Sequence, residues 1–125
     1  MQRILVIDDD PQVCDLIRLA LETAGYEVEV RKNGIEGQHV LLEHSINLII
    51  TDVVMPEKDG LQLIRELRKL EPRPKIIAIS GGLTRVNYDP LPAAKLMGAE
   101  EILRKPFTVA TLLETVKRML DETPQ

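Results

Sequence analysis

Asp8 and Asp9 follow the apolar run Ile4-Leu5-Val6-Ile7, and Asp52 follows Leu48-Ile49-Ile50-Thr51. Ser80 comes after Ile76-Ile77-Ala78-Ile79, and Lys105 after Ile102-Leu103-Arg104. If the four runs are parallel strands, these polar residues share one rim, because the carboxyl ends of the strands in an open parallel sheet form its ligand crevice. Three carboxylates, a hydroxyl and an ammonium at one rim suit a divalent metal and a phosphoryl group.

Three carboxylates packed together repel one another, and without compensation at least one would hold its proton at neutral pH. A bound Mg²⁺ relieves that repulsion. Magnesium takes near-octahedral oxygen ligands and typically combines one or two carboxylates with a phosphate and waters. Asp9 and Asp52 are the expected direct ligands, Asp8 a partner directly or through water, and the backbone carbonyl of Val54 a further oxygen. An aspartate is itself a nucleophile toward phosphorus and forms an acyl phosphate when the charges of donor and acceptor are screened. With Mg²⁺ between Asp52 and the incoming group, Lys105 pairs with a phosphoryl oxygen and Ser80 donates a hydrogen bond to another. Phosphoryl transfer asks mainly for positioning and electrostatics, and Gly81 leaves the approach to Asp52 open.

Five short apolar runs alternate with amphipathic stretches, the pattern of repeated βα units. The first strand is expected over about Arg3 to Asp8. Asp10 then caps a helix with Pro11 at its first position; Val13, Ile17, Ala20, Leu21 and Ala24 recur at helical spacing, and Gly25 ends it. Cys14 falls on the inner face of this helix as a small core residue. Glu27 to Arg31 alternates polar and apolar residues and reads as a half-exposed edge strand. Asn33-Gly34 breaks it before a second helix to about His44, with Ile35, Val40, Leu41 and Leu42 available for burial. The third helix, about Asp59 to Leu70, offers Leu61, Ile64, Leu67 and Leu70 and is stopped by Pro72 and Pro74. Asp89-Pro90 begins a short helix to about Met97, closed by Gly98. Thr108 caps the last helix, with Val109, Leu112, Leu113, Val116, Met119 and Leu120 inward. The expected fold class is α/β: a flavodoxin-like, doubly wound five-stranded parallel sheet of order 2-1-3-4-5 with five helices and right-handed crossovers. Residues 1–121 form one domain, and 122–125 a frayed tail.

The chain of 125 residues has room for one domain with a real core. Aromatics make up only 2 %, so Leu, Ile and Val must fill that core, as parallel sheets require. The net charge of −4, with no isolated block of Lys and Arg, argues against direct nucleic-acid binding. No apolar stretch is long enough for a bilayer, and Met1-Gln2-Arg3 leads straight into a strand rather than a signal peptide, so the expected location is cytoplasmic. A single cysteine excludes an internal disulfide and a Cys-based zinc site. His39 and His44 have no metal-ligand companion, and Arg65, Arg68 and Lys69 alternate with acids as a solvated face.

The run Ile4 to Asp10, the stretch Asp52-Val53-Val54-Met55-Pro56-Glu57-Lys58-Asp59-Gly60, Ser80, and Lys105-Pro106-Phe107 together resemble the response-regulator receiver domain of two-component signalling, over nearly the whole chain. The resemblance implies that Asp52 is phosphorylated by a histidine kinase, a histidine phosphotransfer protein or a small phosphodonor. It also implies a cis Lys105-Pro106 peptide. In such receivers the phosphoryl group draws the Ser80 position inward and alters the face of the fourth helix, fifth strand and fifth helix, to which a downstream protein target binds. This chain departs from the family at Ile102, where an aromatic is usual, and in the long segment Gly81 to Pro92, which becomes an alternative responsive element. With no output domain in the sequence, protein contact or phosphorelay is the expected output. Two other readings compete. Asp8-Asp9-Asp10 contains the Asp-x-Asp of haloacid-dehalogenase-like phosphatases, which would place the phosphoryl group on Asp8. A constitutive receiver-like interaction module would take none. A flavin module is disfavoured by the acidic loop after the first strand.

Overall fold

The computed structural model of the chain describes residues 2–53, 60–70, 73–80 and 91–121. In chain order they form β1 (Arg3–Ile7), α1 (Pro11–Thr23), β2 (Glu27–Arg31), α2 (Gly34–Glu43), β3 (Leu48–Asp52), α3 (Gly60–Leu67), β4 (Lys75–Ser80), α4 (Leu91–Met97), β5 (Glu101–Arg104) and α5 (Val109–Asp121). The strands pair in parallel in the order β2-β1-β3-β4-β5, as expected. Asp89, Pro90, Pro72, Asp59 and the tail 122–125 lie outside the described residues, as does the burial of Leu61.

Because side chains alternate along a strand, each central strand feeds two cores. Ile4, Val6, Leu48, Ile50, Ile77, Ile79 and Leu103 pack with Cys14, Ile17 and Leu21 of α1 and with Leu112, Val116, Met119 and Leu120 of α5. Leu5, Ile7, Ile49, Ile76 and Ala78 pack on the other side with Val40 of α2, Leu63, Ile64 and Leu67 of α3, and Leu91 and Ala94 of α4. The helices therefore stand two on one face and three on the other. Each fully buried Ile or Leu contributes about 1.5–3 kcal/mol relative to its exposed state.

The helix ends follow the local signals. The Asp10 side chain accepts from Gln12 N at 3.0 Å with Pro11 behind it, and Thr108 Oγ1 accepts from Thr111 N at 3.0 Å. Asn33, read only as a breaker, is also the cap of α2, accepting from Glu36 N at 2.8 Å. Gly37 lets α2 lie on β1, since a Cβ there would meet Ile7 Cδ1 at 2.4 Å. Gly98 has φ +135° after α4, and Ala99 N donates back to Ala94 O at 3.1 Å, a left-handed helix stop.

Several expected core positions are corrected. Ile35 and Leu42 are exposed, Leu42 by 85 %. They lie seven residues apart on one side of α2, while the close approach at Gly37 turns the opposite side, with Val40, toward the sheet. Leu70 is exposed because α3 ends at Leu67 and no longer carries it on the inward stripe; Leu63 is buried on that stripe instead. Ala24 and Val109, at the end of α1 and the start of α5, are exposed as terminal turns reach past the sheet. β2 is the edge strand that its alternation announced, only half-buried over most of its length.

Candidate functional site

β1 and β3 are neighbours at the point where the chain reverses its direction of winding, so their carboxyl ends open into one crevice. Asp8 continues the parity of Ile4 and Val6, and Asp52 that of Leu48 and Ile50, which sets both carboxylates on the α1/α5 side of the sheet. One carboxylate oxygen from each of Asp8, Asp9 and Asp52 lies within 4.8 Å of the others. Asp8 is 1 % and Asp52 5 % exposed, whereas Asp9 is exposed at the mouth.

Lys105 follows β5 directly, and the Lys105-Pro106 peptide is cis, as the resemblance implied. Its Nζ lies 2.9 Å from Asp8 Oδ2 and donates a hydrogen bond to Asp52 Oδ2 at 3.1 Å. Burial alone would pull the lysine's pKa down. The close contact and charge of Asp8, with the charge and hydrogen bond of Asp52, outweigh it and raise the ammonium above its ordinary value of 10.5. The lysine is thus held charged between the two acids.

The turn after β1 is closely tied. Asp10 N donates to Asp8 Oδ1 at 2.9 Å, Asp8 N to Arg31 O at 3.1 Å, and Cys14 Sγ to Asp8 O at 3.2 Å. The Cys14 thiol is pushed up to about 11 by burial and then by Asp8, Asp15 and Asp10, so it is a protonated donor at neutral pH. In β3 the Thr51 hydroxyl donates to Asp52 O at 2.9 Å. These two contacts escaped the sequence reading. Their available signals were Thr51 as the one neutral polar residue in the buried strand, and Cys14 four residues after a helix cap, on the inward face.

Ser80 is fully buried at the end of β4, and its carbonyl accepts from Lys105 N at 2.7 Å, binding the lysine's loop to the sheet. By alternation it shares a face with Ala78, whose partner in register is Ile102, on the side of α2, α3 and α4. The structure therefore brings Asp8, Asp9, Asp52 and Lys105 together directly, with Ser80 beside them on the neighbouring strand. Val54, Gly81 and Gly82 lie outside the described residues.

The donor set fits Mg²⁺. Among the described residues no hydrogen bond is aligned on the buried Asp8 Oδ2, although the ammonium is at ion-pair distance. Neighbouring carboxylate oxygens on three residues are the hard ligands that such a cation prefers.

A doubly wound parallel sheet with a triad of aspartates and a lysine at its switch point defines a class of phosphoryl-handling α/β domains. Within that class the family is specific: residues 4–117 match the response regulator receiver domain, and the chain belongs to that family. It is 35 % identical to the response regulator receiver protein CpdR of Brucella abortus, covering 96 % of this chain and 98 % of that protein. It is also 35 % identical to RpaA of Synechocystis, a DNA-binding transcriptional regulator, over 98 % of this chain, and there it spans only about half of the relative, 51 %. The response regulator TrrA of Thermotoga maritima, solved in complex with Mg²⁺ and BeF, superposes with a TM-score of 0.82 at 32 % identity, covering 96 % of this chain and all of that one. The protein is thus a signalling receiver of two-component systems. No helix among the described residues is long and apolar enough to cross a membrane.

Proposed function

We propose that this receiver accepts a phosphoryl group on Asp52 from the phosphohistidine of a histidine kinase or phosphotransfer protein, and that the modification alters the α4/β5/α5 face for a downstream protein partner. The observation that carries the reading is Lys105 Nζ, poised 2.9 Å from Asp8 and 3.1 Å from Asp52 at the mouth of the acidic crevice. Asp8, Asp9, Asp52 and the Val54 carbonyl would hold Mg²⁺, which when bound supplies positive charge to offset that of the phosphoryl oxygens. Asp52 Oδ attacks phosphorus in line as the P–N bond of the donor breaks, and the imidazole leaves with its electron pair. Lys105 then turns its ammonium to a phosphoryl oxygen, and Ser80 donates to another. Water attack later breaks the new P–O bond and restores Asp52, so the domain assists its own phosphorylation and dephosphorylation without a separate catalytic centre.

The phosphatase reading would require the phosphoryl group on Asp8. Membership of the receiver family and the engagement of Asp8 Oδ1 by Asp10 N favour Asp52. Cytoplasmic placement and the lack of direct nucleic-acid contact belong to the same proposal, the latter resting on the acidic net charge of −4. The test is incubation of wild type and Asp52→Ala with acetyl phosphate, or with beryllium fluoride, in the presence of Mg²⁺. Mass spectrometry should find an adduct of the wild type at Asp52 alone, and NMR shifts should reach α4 and α5. An adduct on Asp8 would establish the phosphatase, and no adduct in either protein would leave a constitutive interaction module.

A further inference from the structure

The two buried aspartates of the site share a feature beyond their charge. Each has its own main-chain carbonyl held by a buried side-chain donor: Asp8 O by the Cys14 thiol at 3.2 Å, and Asp52 O by the Thr51 hydroxyl at 2.9 Å. Cys14 is carried by α1 and Thr51 by β3, so the contacts arise independently and on different elements. Both donors are buried, Thr51 completely.

We propose that Cys14 and Thr51 are positioning residues that fix the peptide planes of Asp8 and Asp52, and thereby the directions in which the two carboxylates meet the cation and the phosphoryl group. The inference rests on the reading of this crevice given above. A carboxylate one methylene from Cα follows its backbone closely, and a binding constellation tolerates only about 0.5 Å and 10–20° of misplacement. Asp8 lies just beyond the last paired residue of β1, where the ladder no longer constrains its carbonyl, so an added donor there has the most to fix. Its Oδ1 is taken by Asp10 N, and Oδ2 faces the Lys105 ammonium at 2.9 Å, so the Cys14 contact sets the backbone from which Oδ2 is aimed. Asp52 is itself the last residue of β3, still in register with Ile79, and there the Thr51 hydroxyl acts from the side of the sheet opposite the carboxylate.

The test is Mg²⁺ affinity, measured by NMR titration on wild type, Thr51→Val, Thr51→Ser, Cys14→Ala and Cys14→Ser, with melting temperature in metal-free buffer as the control for folding. Valine matches threonine in shape without the hydroxyl, so Thr51→Val should bind Mg²⁺ roughly 10-fold more weakly, as loss of a group orienting a metal ligand commonly does. Thr51→Ser, which keeps the hydroxyl, should recover the wild-type value. Cys14→Ala should lose affinity similarly, and Cys14→Ser, with a shorter reach but a donor, should fall between it and wild type. Wild-type affinity in both Thr51→Val and Cys14→Ala would overturn the proposal while leaving the site intact. Equal losses in the serine and the donor-less variants would also overturn it, assigning the effect to packing. Absence of Mg²⁺ binding by the wild type would instead remove the reading of the site itself, and this proposal with it.

Discussion

The two faces of the sheet are built to different standards. On one, α1 and α5 are thirteen residues long each, capped by Asp10 and Thr108, and bury an unbroken stripe from Cys14 to Leu21 and from Leu112 to Leu120. On the other, α2, α3 and α4 run to ten, eight and seven residues, and α4 leaves Leu96 86 % exposed. Helices this short owe their stability to tertiary packing. Asp8 and Asp52 belong by parity to the first face, Ser80 and Ile102 to the second. Strand alternation thus separates the two buried acids, set against long helices, from Ser80, the proposed hydroxyl donor to the phosphoryl group, and from Ile102, both on the side of the shorter helices.

The contrast is broken most severely through the cores. Ile17→Ala in α1 should cost about 2–5 kcal/mol in urea unfolding, from lost burial and a residual cavity, whereas Leu96→Ala in α4 should stay within about 0.5 kcal/mol. Equal losses would refute the difference between the faces. At the site, Lys105→Met should slow phosphorylation by acetyl phosphate by about 10²–10³-fold, since it removes the charge aimed at the developing phosphoryl oxygens. Ile102→Ala should leave that rate within a few-fold and change instead the NMR shifts of α4 upon beryllium fluoride binding. A comparable loss of rate at Ile102 would show that the faces are not separate.

Smaller effects sharpen the second face. Gly98→Ala should destabilise by about 1 kcal/mol or more, because φ +135° is unfavourable for alanine and its Cβ would meet Arg68 Cδ at 2.3 Å. Adding Arg68→Ala should recover only the steric part. The pH dependence has a definite sign. Lys105 has a raised pKa in the folded protein, so its contribution to stability is fully present below the unfolded value near 10.5 and is lost as pH rises through the folded one. The stability gap between wild type and Lys105→Met should therefore narrow as pH rises through that alkaline range. Least of all, Cys14, buried and with its thiol pushed to about 11, should resist iodoacetamide at pH 8 in the native state and react when unfolded.

Much of this was legible because period-two and period-3.6 patterns report burial directly. The caps at Asp10 and Thr108 and the inward positions Ile17, Leu21, Ile64 and Val116 follow from residue types a few positions apart, and the order of the sheet from the alternation of strands and helices along the chain. The misplaced residues, Ala24, Ile35, Leu42, Leu70 and Val109, are apolar near helix ends or beside a glycine contact. There, hydrophobicity alone does not reveal which side turns inward, because the phase is set by what the helix leans on.

The sequence alone determined which groups stand at the strand ends and that the strands run in parallel, since both are consequences of local spacing. Only the tertiary structure decided that the lysine lies between Asp8 and Asp52, that the Cys14 thiol and Thr51 hydroxyl hold the carbonyls of those two acids, and that Ser80 takes the opposite face from them. Those are relations between elements as far as 97 residues apart, 8 to 105. They exist only when β1, β3, β4 and β5 are registered in one sheet, because a hydrogen bond depends on distances of tenths of an ångström that no residue pattern encodes.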